Sequence, residues 1–238
     1  MSGPLAPRAL PILRSLFAPL LEFALPQRCP GCGAAADPAR VLCADCLARI
    51  PTLATPLCAR CLAEGGDGAP CSRHPGFAVY APWQLDERAR AVVHLLKYGG
   101  RPDLAAALGP ALAAAVGKPA RAPDLVVAVP LHRARRRERG YNQAEALARA
   151  LARELRVPYL PGALVRTRAT AAQARLGGAA RRRNLAGAFV IEPDAALAGR
   201  SVLVVDDVIT TGATLEACLA ALRAGKARGA GVALAWAP

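Results

Sequence analysis

The segment Val202–Thr214 combines residue types that suit a phosphorylated sugar. Its apolar start predicts a buried strand that ends in Asp206 and Asp207. The turn that follows predicts a helix start, whose free amide groups and positive dipole end form a cradle for a phosphate. The two carboxylates do not bind phosphate themselves, but they accept hydrogen bonds from vicinal ribose hydroxyls or orient a hydrated Mg²⁺. The pattern therefore predicts a site for a ribose 5-phosphate group.

Glycine at position 212 permits a close approach of the backbone to the phosphate, and the threonines supply hydroxyl donors. Taken separately, two aspartates at a strand end are compatible with a solvated turn, and threonine is a common helix cap. Their combination at this spacing favours the ligand site. Its candidate residues are Asp206, Asp207, Thr210, Thr211, Gly212, Ala213 and Thr214.

Seven of the eight cysteines lie between positions 29 and 71. Six of them form three pairs with two residues between the partners, and Cys71 has the same spacing to His74. Such a cysteine pair presents two thiolates on one tight turn to a tetrahedral metal ion, at about 2.3 Å from each sulfur. An odd number of cysteines and the lack of a secretion signal argue against a disulfide framework. The expected ligands of one or two structural Zn²⁺ ions are Cys29, Cys32, Cys43, Cys46, Cys58, Cys61, Cys71 and His74.

Two groupings of these ligands are open at this point. A sequential grouping joins the first four and the last four, whereas an interleaved grouping joins the first pair with the third and the second with the fourth. His74 is either the eighth ligand or an exposed loop histidine. Four protein ligands for each ion leave no position for a substrate, so we expect the zinc to be structural.

The region between positions 132 and 183 holds 14 arginines against three glutamates, which is +11 of the net charge of +14. Such a surplus points to an anionic partner, namely nucleic acid, anionic lipid or a phosphorylated ligand. A guanidinium group forms two parallel hydrogen bonds to the oxygens of one phosphate. For any single arginine, the alternative is that it belongs to a solvated basic face. Only Tyr141 and Tyr159 are available to stack bases, so we expect weak binding along a single-stranded backbone. The first arginines, in a predicted loop, are Arg133, Arg135, Arg136, Arg137 and Arg139.

From Phe77 onward, predicted strands alternate with predicted helices. This order predicts an α/β fold with an open, mostly parallel sheet that binds ligands beyond the carboxyl ends of its strands. Cys218 is expected in the core of the last helix. The predicted strands are Leu125–Val129, Ser201–Val205 and Gly231–Trp236, and the predicted helices are Asp86–Tyr98, Ala105–Val116, Asn142–Leu155 and Ala213–Ala224.

The 238 residues divide into an amphipathic helical segment (1–25), a zinc-binding module (26–76) and a larger domain (77–238). Apolar residues make up 54% and charged residues 20% of the chain, which excludes wholesale disorder. No apolar run reaches the roughly 18 residues that a membrane-spanning helix needs. The first segment is expected to dock as a helix, with a surface-membrane contact or a secretion signal as alternatives.

The segment Val202–Thr214 resembles the phosphoribosyl pyrophosphate (PRPP) motif of type I phosphoribosyltransferases. Together with the cysteine pairs, three further segments are similar to the ComF family, which is named for bacterial competence proteins. The resemblance covers roughly residues 26–235, although Tyr141 stands where the family usually has phenylalanine and the C-terminal Leu234–Pro238 lacks the usual basic residue. The three segments are Leu95–Gly100, Val129–Gln143 and Arg181–Phe189.

The resemblance implies a double zinc ribbon followed by a type I phosphoribosyltransferase fold. It implies that Asp206 and Asp207 bind the ribose hydroxyls, that Thr210–Thr214 holds the 5-phosphate of PRPP with Mg²⁺, and that the arginine loop holds pyrophosphate. It also implies that the stretch 166–184 is a mobile lid.

Two functions follow as expectations. The first is a cytoplasmic protein that binds PRPP and handles single-stranded DNA during DNA uptake, with the uptake machinery as a further partner. The second is an active phosphoribosyltransferase, in which an unidentified base or amine attacks C1 as pyrophosphate leaves. His132 and Lys97 are candidates for a functional role there by position only, and the catalytic residues are unknown.

Overall fold

The computed structural model describes residues 28–37, 40–53, 56–63, 71–117, 122–131, 133–167 and 178–238. The predicted N-terminal helical segment and His132 lie outside these ranges, as do positions 168–177 of the expected lid. In the part of the chain that is described, no helix combines the length and apolar character that crossing a bilayer requires.

The strands are short, and five of the ten that the described residues form belong to one sheet. In the described ranges they are β1 (Leu57–Cys58), β2 (Ala78–Tyr80), β3 (Trp83–Gln84), β4 (Leu125–Ala128), β5 (Leu164–Arg166), β6 (Phe189–Ile191), β7 (Ser201–Val205), β8 (Val208–Ile209), β9 (Arg228–Val232) and β10 (Ala235–Trp236). The main sheet has the order β1–β2–β9–β7–β4. All of its strands run parallel except β1, which pairs antiparallel with β2. The prediction of an open, mostly parallel sheet is confirmed.

Two smaller sheets complete the strand pairing. In one, β10 lies between β3 and β8 and is parallel to both, and in the other β5 and β6 form an antiparallel pair. The prediction of one final strand over Gly231–Trp236 is wrong, because β9 and β10 belong to different sheets. The chain changes sheets between them, where the Ala233 amide donates to the Tyr80 carbonyl and the Leu234 amide donates to the Asp207 carbonyl.

The helices of the larger domain confirm the predicted ones to within a residue at each end. Polar caps begin two of them, since the Asp86 side chain accepts a hydrogen bond from the Ala89 amide and the Asn142 side chain accepts one from the Ala144 amide. The helices of the described residues are α1 (Ala44–Ala48), α2 (Glu87–Tyr98), α3 (Leu104–Val116), α4 (Arg133–Arg139), α5 (Gln143–Leu155), α6 (Gly178–Leu185) and α7 (Ala213–Ala224).

The arginine-rich segment after β4 is a helix, α4, where the sequence analysis predicts a loop. Arginine, glutamate and alanine favour helices, so the seven residues of this segment form about two helical turns. Gly140 follows the helix with a φ of +78°, a conformation that glycine adopts without strain. The correction concerns Arg133, Arg135, Arg136, Arg137 and Arg139, which all belong to this helix.

Alternate residues of the central strands point to opposite faces of the sheet and build two cores. Val126 and Leu203 pack with α2, α3 and α5, whereas Val127 and Val204 pack with α7 and the β5–β6 pair. Each core includes part of the cysteine-rich region, namely Cys29 and Cys46 in the first and Cys58 in the second. Cys218 is fully buried in the second core, which confirms it as a core residue.

Candidate functional site

The acid pair lies at the carboxyl end of β7, as the sequence predicts. Because β7 pairs with β4 on one side and β9 on the other, the ends of all three strands meet at this edge. The Asp206 amide donates to the Val232 carbonyl at 2.9 Å, and the Asp207 amide donates to the Asp206 carboxylate at 2.8 Å. The pair is therefore fixed at the position where open α/β sheets bind ligands.

Side chains from two helices hold the carboxylate of Asp207. Its Oδ1 lies 3.1 Å from Lys97 Nζ on α2, and its Oδ2 accepts a hydrogen bond from Gln143 Nε2 on α5 at 2.5 Å. Asp207 is only 6% exposed, so this ion pair is largely removed from water. Sequence position alone singled out Lys97, and the structure gives it a partner in the acid pair.

Asp206 differs from Asp207 in its electrostatic environment. Burial raises the pKa of Asp206 to about 7, and the neighbouring charge of Asp207 acts in the same direction. The Asp207 amide and the Lys97 ammonium group oppose this shift. At neutral pH part of the protein population therefore has an ionised Asp206, which only accepts hydrogen bonds, and part has a protonated Asp206, which also donates one.

The turn between β8 and α7 is the start of a helix, as the sequence predicts. Gly212 caps α7 with a φ of +72°, and the first amide groups of the helix have no partner within it. Asp206 and this turn line one concavity of about 10 Å³, which has room for about one water molecule. A sugar phosphate is larger, so its binding requires the surrounding side chains to move. The lining residues are Asp206, Val208, Ile209, Thr210, Thr211, Gly212, Ala213, Thr214 and Leu215.

Two arginines of α6 reach this turn. Arg181 donates a hydrogen bond to the Thr210 hydroxyl at 3.0 Å, and Arg182 donates one to the Thr211 carbonyl at 3.1 Å. They belong to the C-terminal part of the stretch that the family resemblance implies to be a lid. The described part of that stretch therefore contacts the predicted phosphate turn directly.

The turn between Cys58 and Cys61 also packs against the predicted phosphate turn. A Cβ atom built on Gly212 would lie 2.0 Å from the Ala59 carbonyl oxygen, so only glycine fits there. Arg60 donates to Glu216 Oε1 at 2.8 Å, which joins the same cysteine turn to the first turn of α7. The sequence analysis did not predict the contact between these two turns, because a local sequence pattern cannot show that residues so far apart in the chain lie together.

The sulfur atoms of Cys29, Cys32, Cys43 and Cys46 all lie within 4.8 Å of one another. The Cys32 and Cys43 sulfurs are 3.7 Å apart, and a tetrahedral site with Zn–S bonds of 2.3 Å separates its sulfurs by about 3.8 Å. The Cys43 amide also donates to the Cys29 sulfur at 3.4 Å, as expected for a thiolate ligand. The residues present fit a bound zinc ion.

The second cluster joins Cys58, Cys61, Cys71 and His74 at similar distances. The Cys61 and Cys71 sulfurs are 3.8 Å apart, and His74 Nδ1 lies 3.6 Å from the Cys58 sulfur. The two clusters correspond to the sequential grouping of the ligands, and His74 lies inside the second.

The two cysteine turns share one pattern of backbone hydrogen bonds but differ in the residue that takes the left-handed conformation. In each, the first cysteine exchanges backbone hydrogen bonds with residues four and five positions later. The residue in the left-handed conformation is Gly33 in the first turn (φ +73°) and Leu62 in the second (φ +56°). A leucine in this conformation costs roughly 1 kcal/mol. The second turn is therefore the more strained, and a metal ion would have to hold it.

Two arginines of α4 contact neighbouring helices, whereas Arg135 pairs with Glu138 of α4 itself. Arg136 pairs with Glu145 at 2.9 Å, and the Arg139 guanidinium lies 5.1 Å from the centre of the Tyr98 ring. Tyr98, which is 58% exposed, is an aromatic surface that the sequence analysis missed. Pyrophosphate contacts of the α4 arginines remain a prediction.

A basic groove runs along α5. It consists of a cavity of about 410 Å³, lined among others by Arg136 and Tyr141, and a second of about 350 Å³, lined among others by Arg156 and Tyr159. Arg149 and Arg153 line both cavities. We call this feature the α5 groove.

The two tyrosines of the α5 groove are already engaged. Tyr141 donates its hydroxyl hydrogen to the Leu96 carbonyl, and the Arg149 guanidinium lies 4.6 Å from the centre of the Tyr159 ring. The Tyr141 hydroxyl and one face of the Tyr159 ring therefore already have partners within the protein.

Comparisons with known proteins agree with both parts of the chain. A family model described as a phosphoribosyl transferase domain matches residues 140–238, and one described as a double zinc ribbon domain matches residues 20–73. The zinc ribbon match and the two cysteine clusters together indicate structural zinc.

Several curated proteins are similar over most of the chain. The DNA utilization protein YhgH of Escherichia coli O157:H7 is 36% identical over 193 residues, which is 79% of this chain and 80% of that protein. The protein of the same name from Salmonella typhi is 35% identical over 187 residues, 73% of this chain and 80% of that protein. Competence protein F of Haemophilus influenzae is 41% identical over 95 residues, 40% of this chain and 42% of that protein.

Proposed function

Because the chain belongs to the ComF family, we propose that it binds PRPP and acts in the handling of single-stranded DNA during DNA uptake. The observation that carries the ligand proposal is the concavity shared by Asp206 and the Thr210–Thr214 turn. Hydrogen-bond acceptors for a diol and amide donors for a phosphate meet there within one ligand's length. DNA utilization and competence are the roles in the names of its relatives.

In this proposal the turn Thr210–Thr214 holds the 5-phosphate, and Asp206 accepts hydrogen bonds from the ribose hydroxyls. Asp207, fixed by Lys97 and Gln143, keeps the neighbouring carboxylate in position and adds negative charge. Mg²⁺ would accompany PRPP and neutralise its pyrophosphate, and Asp206 would orient its hydrated shell. We assign one zinc ion to each cysteine cluster, in a structural role, and a reducing compartment, the cytoplasm, because thiolate ligands persist there.

We expect ribose 5-phosphate affinity to fall as the pH drops below 7. Binding needs the ionised form of Asp206, whose pKa is about 7, so each pH unit below that value should weaken binding up to about tenfold. Calorimetric titrations between pH 5.5 and 8.5 measure the effect. The Asp206→Asn variant controls for titration of the ligand phosphate, and equal pH profiles in the two proteins would contradict the assignment.

The second candidate is an active transferase, favoured by the family match of residues 140–238 to a phosphoribosyl transferase domain. In that reaction the C1–O bond to pyrophosphate breaks, positive charge develops at C1, and an acceptor nitrogen attacks. The test is to incubate the zinc-loaded protein with PRPP, Mg²⁺ and candidate bases and to measure pyrophosphate. Release that depends on a base and disappears in Asp206→Asn favours catalysis, whereas binding without release favours a non-enzymatic role.

For single-stranded DNA, the α5 groove is the surface that we propose. Arg149 and Arg153 lie on α5, and Arg156 follows its last residue. This helix of 13 residues is about 20 Å in length, which matches the span of a few nucleotides. The groove begins at α4, next to the sheet edge that carries the acid pair, and leads away from it. Its contacts would be to phosphates, since its two tyrosines are engaged.

We expect binding of a single-stranded oligonucleotide to weaken with salt, with a log–log slope near −3.5 for about five phosphate contacts. The double variant Arg149→Ala/Arg153→Ala should reduce the slope by about 1.4, since each lost contact is worth about 0.7. Fluorescence anisotropy at several salt concentrations measures it. Arg200→Ala, a change of an exposed arginine outside the groove, is the control, and an equal loss in that variant would place the DNA elsewhere.

A further inference from the structure

The second cysteine cluster and the predicted phosphate turn share a direct contact. Ala59, between Cys58 and Cys61, is fully buried, and its carbonyl oxygen occupies the space where a Cβ of residue 212 would be. Its amide donates to the Phe77 carbonyl at 2.8 Å. The backbone of the cysteine turn is thus packed between β2 and the predicted phosphate turn, so a shift of one turn displaces the other.

Three charged side chains strengthen this contact. Glu216, in the first turn of α7, accepts hydrogen bonds from Arg60 at 2.8 Å and from Arg182 at 3.0 Å. Arg182 also donates to the Arg60 carbonyl at 2.7 Å and to the Thr211 carbonyl at 3.1 Å. The Glu216 side chain is only 15% exposed, so these charge-assisted bonds are partly shielded from water. We call Arg60, Arg182 and Glu216 the coupling triad.

A zinc ion in the second cluster would add to the contacts that hold the cysteine turn in shape. Cys58 and Cys61 flank Ala59 and Arg60 on both sides, and Leu62 holds a left-handed conformation there. A zinc ion would join these two sulfurs to Cys71 and His74, and small metal sites of this kind lose their fold when the metal is removed. The positions of the Ala59 and Arg60 carbonyls, which support the predicted phosphate turn, would therefore respond to an ion in this cluster.

We propose that zinc in the second cluster and a phosphate ligand at the Thr210–Thr214 turn bind with positive cooperativity, with the coupling triad as the positioning residues. This inference rests on the proposed function of that turn as a phosphate site. Coupling between two sites is reciprocal, so a ligand that fixes the turn must also retain the zinc ion. The first cluster packs in the other core and takes no part.

The test follows metal release from the full chain loaded with Co²⁺ in place of zinc. An S₄ site and an S₃N site differ in their visible absorption, so the loss of each ion to a chelator is recorded separately. We expect ribose 5-phosphate to slow release from the S₃N site by about fivefold or more, without an effect on the S₄ site. The Glu216→Gln variant, which keeps the shape but weakens both arginine contacts, should lose this protection. Arg73→Ala is the matched control, because Arg73 lies 3.9 Å from the Cys61 sulfur in the same cluster.

The outcomes separate the inference from the function on which it rests. Protection of the S₃N site in the native chain and in Arg73→Ala, but not in Glu216→Gln, supports the proposal. If calorimetry shows ribose 5-phosphate binding while both release rates stay unchanged, or if both sites are protected equally, the cooperativity is overturned and the phosphate site stands. If the native chain binds no ribose 5-phosphate, both are overturned. Should Glu216→Gln fail to fold, the native chain with and without ligand decides the question alone.

Discussion

Replacing Gly212 with alanine is expected to abolish measurable ribose 5-phosphate binding and to lower the free energy of unfolding by about 3 kcal/mol or more. The new methyl group would lie 2.0 Å from the Ala59 carbonyl oxygen, a backbone atom that cannot turn aside. The cysteine turn and the predicted phosphate turn would have to separate, and the α7 amides would lose their arrangement. Urea unfolding and calorimetry of the zinc-loaded protein measure the two effects.

Gly162→Ala is the matched control for this substitution. Gly162 has nearly the same φ, +71° against +72°, but a Cβ there meets nothing within 4 Å. It should cost about 1 kcal/mol, from the left-handed backbone alone, and leave ligand binding unchanged. The difference between the two variants isolates the contact between the turns. Equal losses in both would show that this contact contributes nothing.

Replacing Lys97 with methionine is expected to lower the free energy of unfolding by about 3 kcal/mol at pH 8, because it leaves the Asp207 carboxylate uncompensated. Asp207→Asn should cost a similar amount. The double variant should be more stable than the sum of the single effects implies, by about 2 kcal/mol, since the two residues interact directly. Denaturant unfolding of the four proteins measures this coupling.

The exposed pair Arg40–Asp37, with side chains 60% and 55% exposed, is the control cycle. Its coupling should stay below about 1 kcal/mol, because water screens it. Lys97→Met should also raise the pKa of Asp206 further, since the ammonium group lowers it in the native protein. The pH at which ribose 5-phosphate binding weakens should then move upward. Similar coupling energies in the two cycles would contradict the description of the Lys97–Asp207 pair as largely buried.

Most of the fold could be predicted because its main strands and helices are long enough to show a regular pattern of apolar residues. The apolar runs at Leu125 and Ser201 and the amphipathic helices carry enough residues for their period to be read. The strands of two or three residues, such as β2 and β8, do not. β9, which contains Gly229 and Gly231, has little strand propensity of its own, and its pairing with β2 and β7 decides its conformation.

The candidate site divides in the same way. Asp206, Gly212 and the threonines lie in one local motif, so their types and spacing are visible in the sequence. Their supports are not, because Gln143 is 64 residues from Asp207 and Arg60 is 156 residues from Glu216. Such contacts depend on which elements the topology brings together. The arginines of α4 show a different limit of sequence analysis. A run of like charges indicates an anionic partner, but it does not tell whether the segment is a loop or a helix.

The pairing of β1 with β2 means that the cysteine-rich region covers one edge of the main sheet. β1 covers what would otherwise be the open margin of the main sheet, beside the fully buried Val79. A shortened protein that starts at Phe77 would display that bare margin, and unpaired strand margins promote self-association. The cysteine-rich region therefore cannot be removed as if it were an independent domain. A truncated or fused protein that keeps this fold must retain residues 57–58 together with β2, the strand that they cover.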